Sequence, residues 1–145
     1  MSFLNKPYET YERPGLVVSY KVAASTQVYK GALLGLDASG YAIPVDQATY
    51  NSKFIGIAAE SVDNSVGAAG AKSVNVTKSG SFVFKAGESA AQANLGMTAL
   101  ATSDWEVVTS ASGLANSIAV GTVVGLETTS TGAAGYRIRI DSKTL

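Results

Sequence analysis

Residues 28–63 read VYKGALLGLDASGYAIPVDQATYNSKFIGIAAESVD, and their reading decides the fold. Leu33-Leu34-Gly35-Leu36-Asp37 is an apolar strand, Ala38-Ser39-Gly40 a turn, and Tyr41-Ala42-Ile43-Pro44-Val45 the returning strand. A three-residue loop with glycine last suits a type I turn closed by a left-handed residue. A polar connection from Gln47 to Lys53 leads to a second apolar strand, Phe54-Ile55-Gly56-Ile57-Ala58-Ala59. That strand ends on Glu60 and the turn-rich Asp63-Asn64-Ser65. Such a unit can nucleate a small all-β domain, and it holds no group of obvious catalytic use.

Outward from this stretch the same texture continues. Leu16, Val18, Tyr20 and Val22 alternate with Val17, Ser19 and Lys21, the period of a strand. Residues 23–27 read as a loop. Downstream, Ser73–Lys78 and Ser81–Lys85 flank Ser79-Gly80, the clearest hairpin signal in the chain. Glu88–Leu95, closed by Gly96, is the one short-helix candidate. Met97–Ala101, Trp105–Thr109, Ser117–Glu127 and Gly135–Asp141 have strand character, with turn clusters between them. In the last of these Tyr136, Ile138 and Ile140 alternate with Arg137, Arg139 and Asp141, a core face against an outer one. About ten short strands and one short helix describe an all-β fold, a small β-sandwich or barrel. Glycine recurs inside apolar strands in Leu33-Leu34-Gly35-Leu36, Phe54-Ile55-Gly56-Ile57 and Val123-Val124-Gly125-Leu126. Glycine there marks a bulge or a close backbone approach.

Residues 1–15 read as an extended N-terminal arm before a single domain over 16–145. Pro7 and Pro14 interrupt regular structure, and Phe3, Leu4, Tyr8 and Tyr11 are mixed with Lys6, Glu9, Glu12 and Arg13. A frayed terminus and a docking arm both fit. Ordering such a segment costs about 1–2 kcal/mol per residue in backbone entropy. Each of the four apolar anchors returns about 1.5–3 kcal/mol if fully buried. The sums are close, so a docking arm needs backbone hydrogen bonds as well, as in strand addition to a partner.

Composition narrows the function classes. The 145 residues suit one domain. Eleven basic and eleven acidic residues leave no net charge, which does not suggest a nucleic-acid binder. The N-terminus lacks a basic stretch followed by an apolar one, so no signal peptide is expected. No run is long and apolar enough to suggest a spanning helix, and no membrane partner is expected. There is no cysteine and no histidine, which removes thiolate and imidazole chemistry.

The remaining chemistry is thin. A serine nucleophile needs a base, and no serine stands three residues before a lysine. Gly67-Ala68-Ala69-Gly70-Ala71-Lys72-Ser73 departs from a phosphate-binding loop: alanine precedes the lysine, and a strand follows where a helix is required. Asn75-Val76-Thr77 matches a glycosylation sequon inside a strand, a chance match. Asp37, Asp46, Glu60 and Asp63 sit at strand ends and turns, where acids serve turn geometry. Trp105, between Asp104 and Glu106, reads as a half-buried strand residue, with a ligand or partner contact as the alternative. Between Lys85 and Arg137 lie four acids and no base, and the C-terminal strand is basic. Arg137, Arg139, Glu106 and Glu127 are therefore candidates for charge contacts between subunits, against the simpler reading of solvated residues. No catalytic, cofactor-binding or metal-ligating residue is assigned, and the chain is not expected to be an enzyme.

The order of these signals resembles the bacteriophage capsid decoration (cement) proteins, the family of the lambda head decoration protein. The resemblance rests on the opening hairpin with FIGIAAESVD after it, SGSFVFKAGE at 79–88, and the Ala-rich segment ending Asn94-Leu95-Gly96-Met97. It extends through AVGTVVGLE at 119–127 and the terminal YRIRID strand at 136–141. The resemblance implies a β-tulip-like fold and no cofactor. It implies a trimer on the outer surface of an icosahedral head, made in the host cytoplasm and carried on the virion. Its partners would be the major capsid protein and further copies of itself, neighbouring capsid subunits would be locked together, and an extended arm often takes part. The arm residues Phe3, Leu4, Tyr8, Tyr11 and Arg13 are then the expected capsid or subunit contacts. The rival readings are a phage tail or fibre β-module and a carbohydrate-binding module, the latter requiring an exposed aromatic platform.

Overall fold

The computed structural model describes residues 5–7, 15–48, 53–141 and 143–144. The arm residues Phe3, Leu4, Tyr8, Tyr11 and Arg13 lie outside the described residues, as does most of the 1–15 segment. Twelve strands are present among the described residues. They are β1 (Val17–Lys21), β2 (Thr26–Val28), β3 (Leu33–Leu36), β4 (Ala42–Pro44), β5 (Phe54–Ala58) and β6 (Val62–Asn64). After them come β7 (Ser73–Thr77), β8 (Ser81–Ala86), β9 (Thr98–Ala101), β10 (Glu106–Val108), β11 (Ala119–Thr128) and β12 (Ala134–Arg139). The fold is all-β, as the strand texture predicts.

The strands form a five-stranded sheet in the order β1-β7-β5-β3-β4, a closed five-stranded barrel in the order β10-β8-β12-β11-β9, and a ribbon of β2 and β6. The predicted β3–β4 hairpin is present with Leu36 opposite Ala42 and Gly35 opposite Ile43. Asp37 organises its turn: one carboxylate oxygen accepts from the Ser39 and Tyr41 amides, both at 2.9 Å. Gly40 closes it at φ +87, a conformation that an L side chain rarely adopts.

Among the described residues there are two hydrophobic cores, and the opening stretch is the wall between them. Leu33, Phe54 and Ile57 belong to the core that fills the barrel, with Tyr136, Ile138, Val107 and Val123. Leu34, Ile55 and Ala58 belong to the second core, with Val22, Val28, Val74 and Val76. A strand buried on both faces reads as a continuous apolar run, which is why LLGL and FIGIA do not alternate with polar residues. The internal glycines mark bulges. Leu34 pairs with Gly56 and Gly35 with Phe54, leaving Ile55 as the extra residue. In β11 the register shifts between Val123 and Gly125, leaving Val124 extra.

Three local expectations are corrected. Ser79-Gly80 does not close a hairpin. β7 pairs with β1 and β5, whereas β8 pairs with β12 and β10. Gly80 is instead held at the end of β12: its amide donates to Asp141 Oδ1 at 2.6 Å and its carbonyl accepts from Ile140 at 3.1 Å. The turn carries the chain from one sheet to the other. Glu88–Leu95 forms only a 3-10 turn at Gln92–Asn94. Eight residues are too few to nucleate a helix unaided, and the Glu88 side chain bonds to distant strands. Finally, the segment read as a loop at 23–27 begins β2, and Asp63 and Asn64, read as turn, lie in β6. The two three-residue strands pair with each other, Gln27 opposite Asp63. Such short segments carry no periodicity of their own.

Polar side chains fasten the two halves. Gln47 donates to the carbonyls of Ala101 (2.8 Å) and Asn116 (2.9 Å), and accepts from the Asn116 amide at 2.8 Å. The Asn116 side chain returns a bond to the Gln47 carbonyl at 2.6 Å. Asn64 is buried and donates to the carbonyls of Ala23 and Ala68. A Cβ at Gly67 would collide with its Oδ1, so a larger residue there would have to displace the Asn64 side chain.

Candidate functional site

The outer wall of the barrel gathers the charges that sequence singled out. Arg137 and Arg139 point outward from β12, which pairs with β8 so that Arg137 lies opposite Val83 and Arg139 opposite Ser81. Arg137 approaches Glu127 at 3.8 Å and donates to Ser81 Oγ at 2.9 Å. Arg139 meets Asp141 at 3.4 Å. Glu106 meets Lys85 at 3.4 Å and accepts from the Thr102 hydroxyl at 2.9 Å. Glu127, Arg137 and Arg139 therefore lie on the neighbouring strands β11 and β12, Glu106 lies on β10 across β8, and each already has a partner within the chain. Exposed pairs of this kind contribute only about 0–1 kcal/mol each, so exchanging them for intersubunit pairs costs little.

Beside this wall three turns converge on one cleft of about 450 Å3. The β2–β3 turn supplies Tyr29 and Lys30, the segment before β10 supplies Asp104 and Trp105, and the β11–β12 turn supplies Thr129, Ser130 and Thr131. Tyr29 is 66% exposed and Trp105 53% exposed. Trp105 is thus about half-buried, as its sequence suggests, but it stands just before β10 and not within a strand. Lys85 Nζ lies over its ring, 4.9 Å from the centroid. The Lys30 ammonium has no ion-pair partner among the described residues. A second cleft of about 400 Å3 adjoins the first, sharing Lys30, Gly31, Val83 and Phe84.

Each turn is held rigidly. After Tyr29, the Lys30 amide donates to Ser61 Oγ (2.9 Å), that of Gly31 to the Ala58 carbonyl (2.8 Å) and that of Ala32 to the Tyr29 carbonyl (3.1 Å). Gly31 sits at φ +90. The Asp104 carbonyl accepts from Leu33 at 2.8 Å, and the Trp105 carbonyl from Lys85 at 3.2 Å. In the third turn Thr129 accepts from Gly132 through its carbonyl and from Ala133 through its hydroxyl, at 3.0 and 3.1 Å. Burial pushes the Asp104 carboxyl above its ordinary value, and the Asp46 carboxylate adds to the effect, although the backbone amide of Asp104 opposes it.

Sequence reasoning picked out Trp105 but missed Tyr29 and Lys30, which lie inside the opening stretch between two strands. It read Thr129–Thr131 as a turn cluster only. Nothing local links residues 29, 105 and 130; the topology brings them together.

Among the described residues no group of three or more acids could hold a metal ion. No helix there is long and apolar enough to cross a membrane. Comparison of the chain with protein-family models, with curated proteins and with solved structures finds no match.

Proposed function

We propose that the chain is a structural virion protein that binds the outer surface of an icosahedral phage head and stabilises it by cross-linking neighbouring major capsid subunits. It acts as a homotrimer. The observation that carries this reading is β1 together with what precedes it. Among the described residues β1 is the outer strand of its sheet and pairs with β7, while Val22, just past its end, is bridged to Ala42. Its approach exposes Leu16 (67%) and Val17 (50%). The aromatic arm lies directly upstream. An aromatic segment leading into an edge strand is suited, on extending, to adding to a partner's sheet, which would supply the backbone hydrogen bonds that its side chains cannot. The resemblance in element order to the capsid decoration family supports the same reading.

The mechanism is avidity. Three weak sites on one trimer engage several capsid subunits at high effective concentration, and affinity rises by roughly 10²–10⁴ without new contacts. Every contact that spans a subunit boundary opposes the outward pressure of packaged DNA. No cofactor is required, and the two-core body serves as a rigid mount.

Deleting residues 2–14 tests the reading. Binding to expanded heads that lack this protein should fall by roughly 10²-fold or more, with thermal unfolding of the body unchanged. Undiminished binding would sink the arm as the capsid contact. If the full chain binds tails or fibres and not heads, the tail-module reading replaces this one.

A further inference from the structure

We propose that the cleft between Tyr29 and Trp105 is a binding site for a carboxylate-bearing polysaccharide, independent of the capsid contact. Two aromatic rings stand exposed on the walls of one concave site, and its volume lies within the range of small-ligand clefts, roughly 300–1,000 Å3. A pyranose ring presents apolar C–H faces and a rim of hydroxyls. Tyr29 and Trp105 offer flat apolar faces of matching kind. The hydroxyls of Thr129, Ser130 and Thr131 and the Asp104 carboxyl offer donors and acceptors for the rim.

The site is organised in advance. Lys85 lies over the Trp105 ring and is tethered in turn by Glu106. Tyr29 leads a turn whose next three amides are all hydrogen-bonded. Rigid aromatic anchors lose little conformational entropy on binding, which favours weak repetitive ligands.

Charge chooses within the carbohydrate class. The lining carries Lys30 and Lys85 against Asp104. Lys85 already has Glu106, whereas Lys30 has no ion pair among the described residues. A carboxylate on the sugar would give Lys30 its partner. A neutral glycan would offer that ammonium only hydroxyl acceptors and no counter-charge, and a basic one would oppose it.

The test uses the full chain with oligogalacturonides and the matching neutral galacto-oligosaccharides, with binding measured by calorimetry. The acidic series should bind and the neutral series should bind more weakly. Trp105→Ala and Tyr29→Ala should each lower affinity by roughly tenfold or more, with melting temperatures near that of the parent because both side chains are exposed. Lys30→Gln should retain binding but erase the preference for the acidic series. Absence of binding to either series overturns the proposal, as does equal binding by parent and Trp105→Ala protein. Loss of head binding in Trp105→Ala also overturns it, because the cleft would then be part of the capsid contact.

Discussion

Gly56→Ala is expected to lose roughly 2–6 kcal/mol of stability, combining backbone strain with overpacking. That is a large share of the roughly 5–15 kcal/mol that holds a typical domain together. Gly56 sits at φ +141, and a Cβ there would strike the Thr77 carbonyl oxygen and lie 2.8 Å from Val76 Cγ1. The position is more than tight. Gly56 is part of the β5 bulge, which resets the phase of the strand. Without the extra residue, Ile57 would share a face with Ile55. With it, Ile57 joins Phe54 in the barrel core while Ile55 and Ala58 fill the other. Loss of the bulge therefore damages both cores at once. Urea unfolding followed by circular dichroism measures the effect. Gly113→Ala, at φ +81 with open space around the Cβ, is the comparator and should cost much less. A Gly56→Ala protein as stable as the Gly113→Ala protein would refute the phase-reset account.

The second large effect is acid sensitivity centred on Glu88. Its carboxylate accepts from the Thr109 amide (2.9 Å) and hydroxyl (2.6 Å), from the Tyr136 hydroxyl (2.8 Å) and from Asn94 (3.1 Å). Burial raises the Glu88 pKa, but the hydrogen bonds from Thr109 and Tyr136 outweigh it and hold the group below its ordinary 4.5. The same contacts raise Tyr136: burial is the larger cause, and the bond to Glu88 adds to it. A carboxyl depressed in the folded state contributes stability above its unfolded value and loses it as pH falls through the folded value. The protein should therefore weaken below about pH 4.5. Asp63 and Asp141, lowered by bonds from Ser65 and from the Gly80 amide, act in the same direction. Glu88→Gln should flatten part of this dependence, and Glu88→Ala should cost roughly 1–3 kcal/mol at neutral pH by stripping partners from Thr109 and Tyr136. Chemical unfolding from pH 3 to pH 7 reads both. An unchanged slope in Glu88→Gln would show that the network does not carry the acid response.

Sequence revealed elements better than it revealed partners. The turn at Asp37–Gly40 was legible because side-chain type and backbone conformation are coupled locally there. The bulges were legible as glycines inside apolar strands, and the outer charges of β12 as a period of two. Partner choice was not legible. Alternation in Ser73–Thr77 and Ser81–Ala86 shows which side chains face inward, but not which strand lies alongside, so two neighbours in sequence looked like a hairpin while belonging to different sheets. The second core was hidden for a related reason: LLGL and FIGIA read as buried strands whether they serve one core or divide two. The Gln47–Asn116 clasp and the Tyr29–Trp105 cleft join residues far apart in the chain, and no local pattern announces them. Glu88 looked like the start of a helix because its distant partners could not be seen.

The proposed function lies in surfaces and copy number: an aromatic arm leading into an edge strand, mounted on a two-core β body. Cryo-EM of virions carrying this chain tests that claim most directly. The expected result is trimeric density on the outer surface of the head, spanning boundaries between major capsid subunits, with residues 1–15 extended against a neighbouring chain. Density confined to the tail or fibres, or particles that lack the protein altogether, would contradict it.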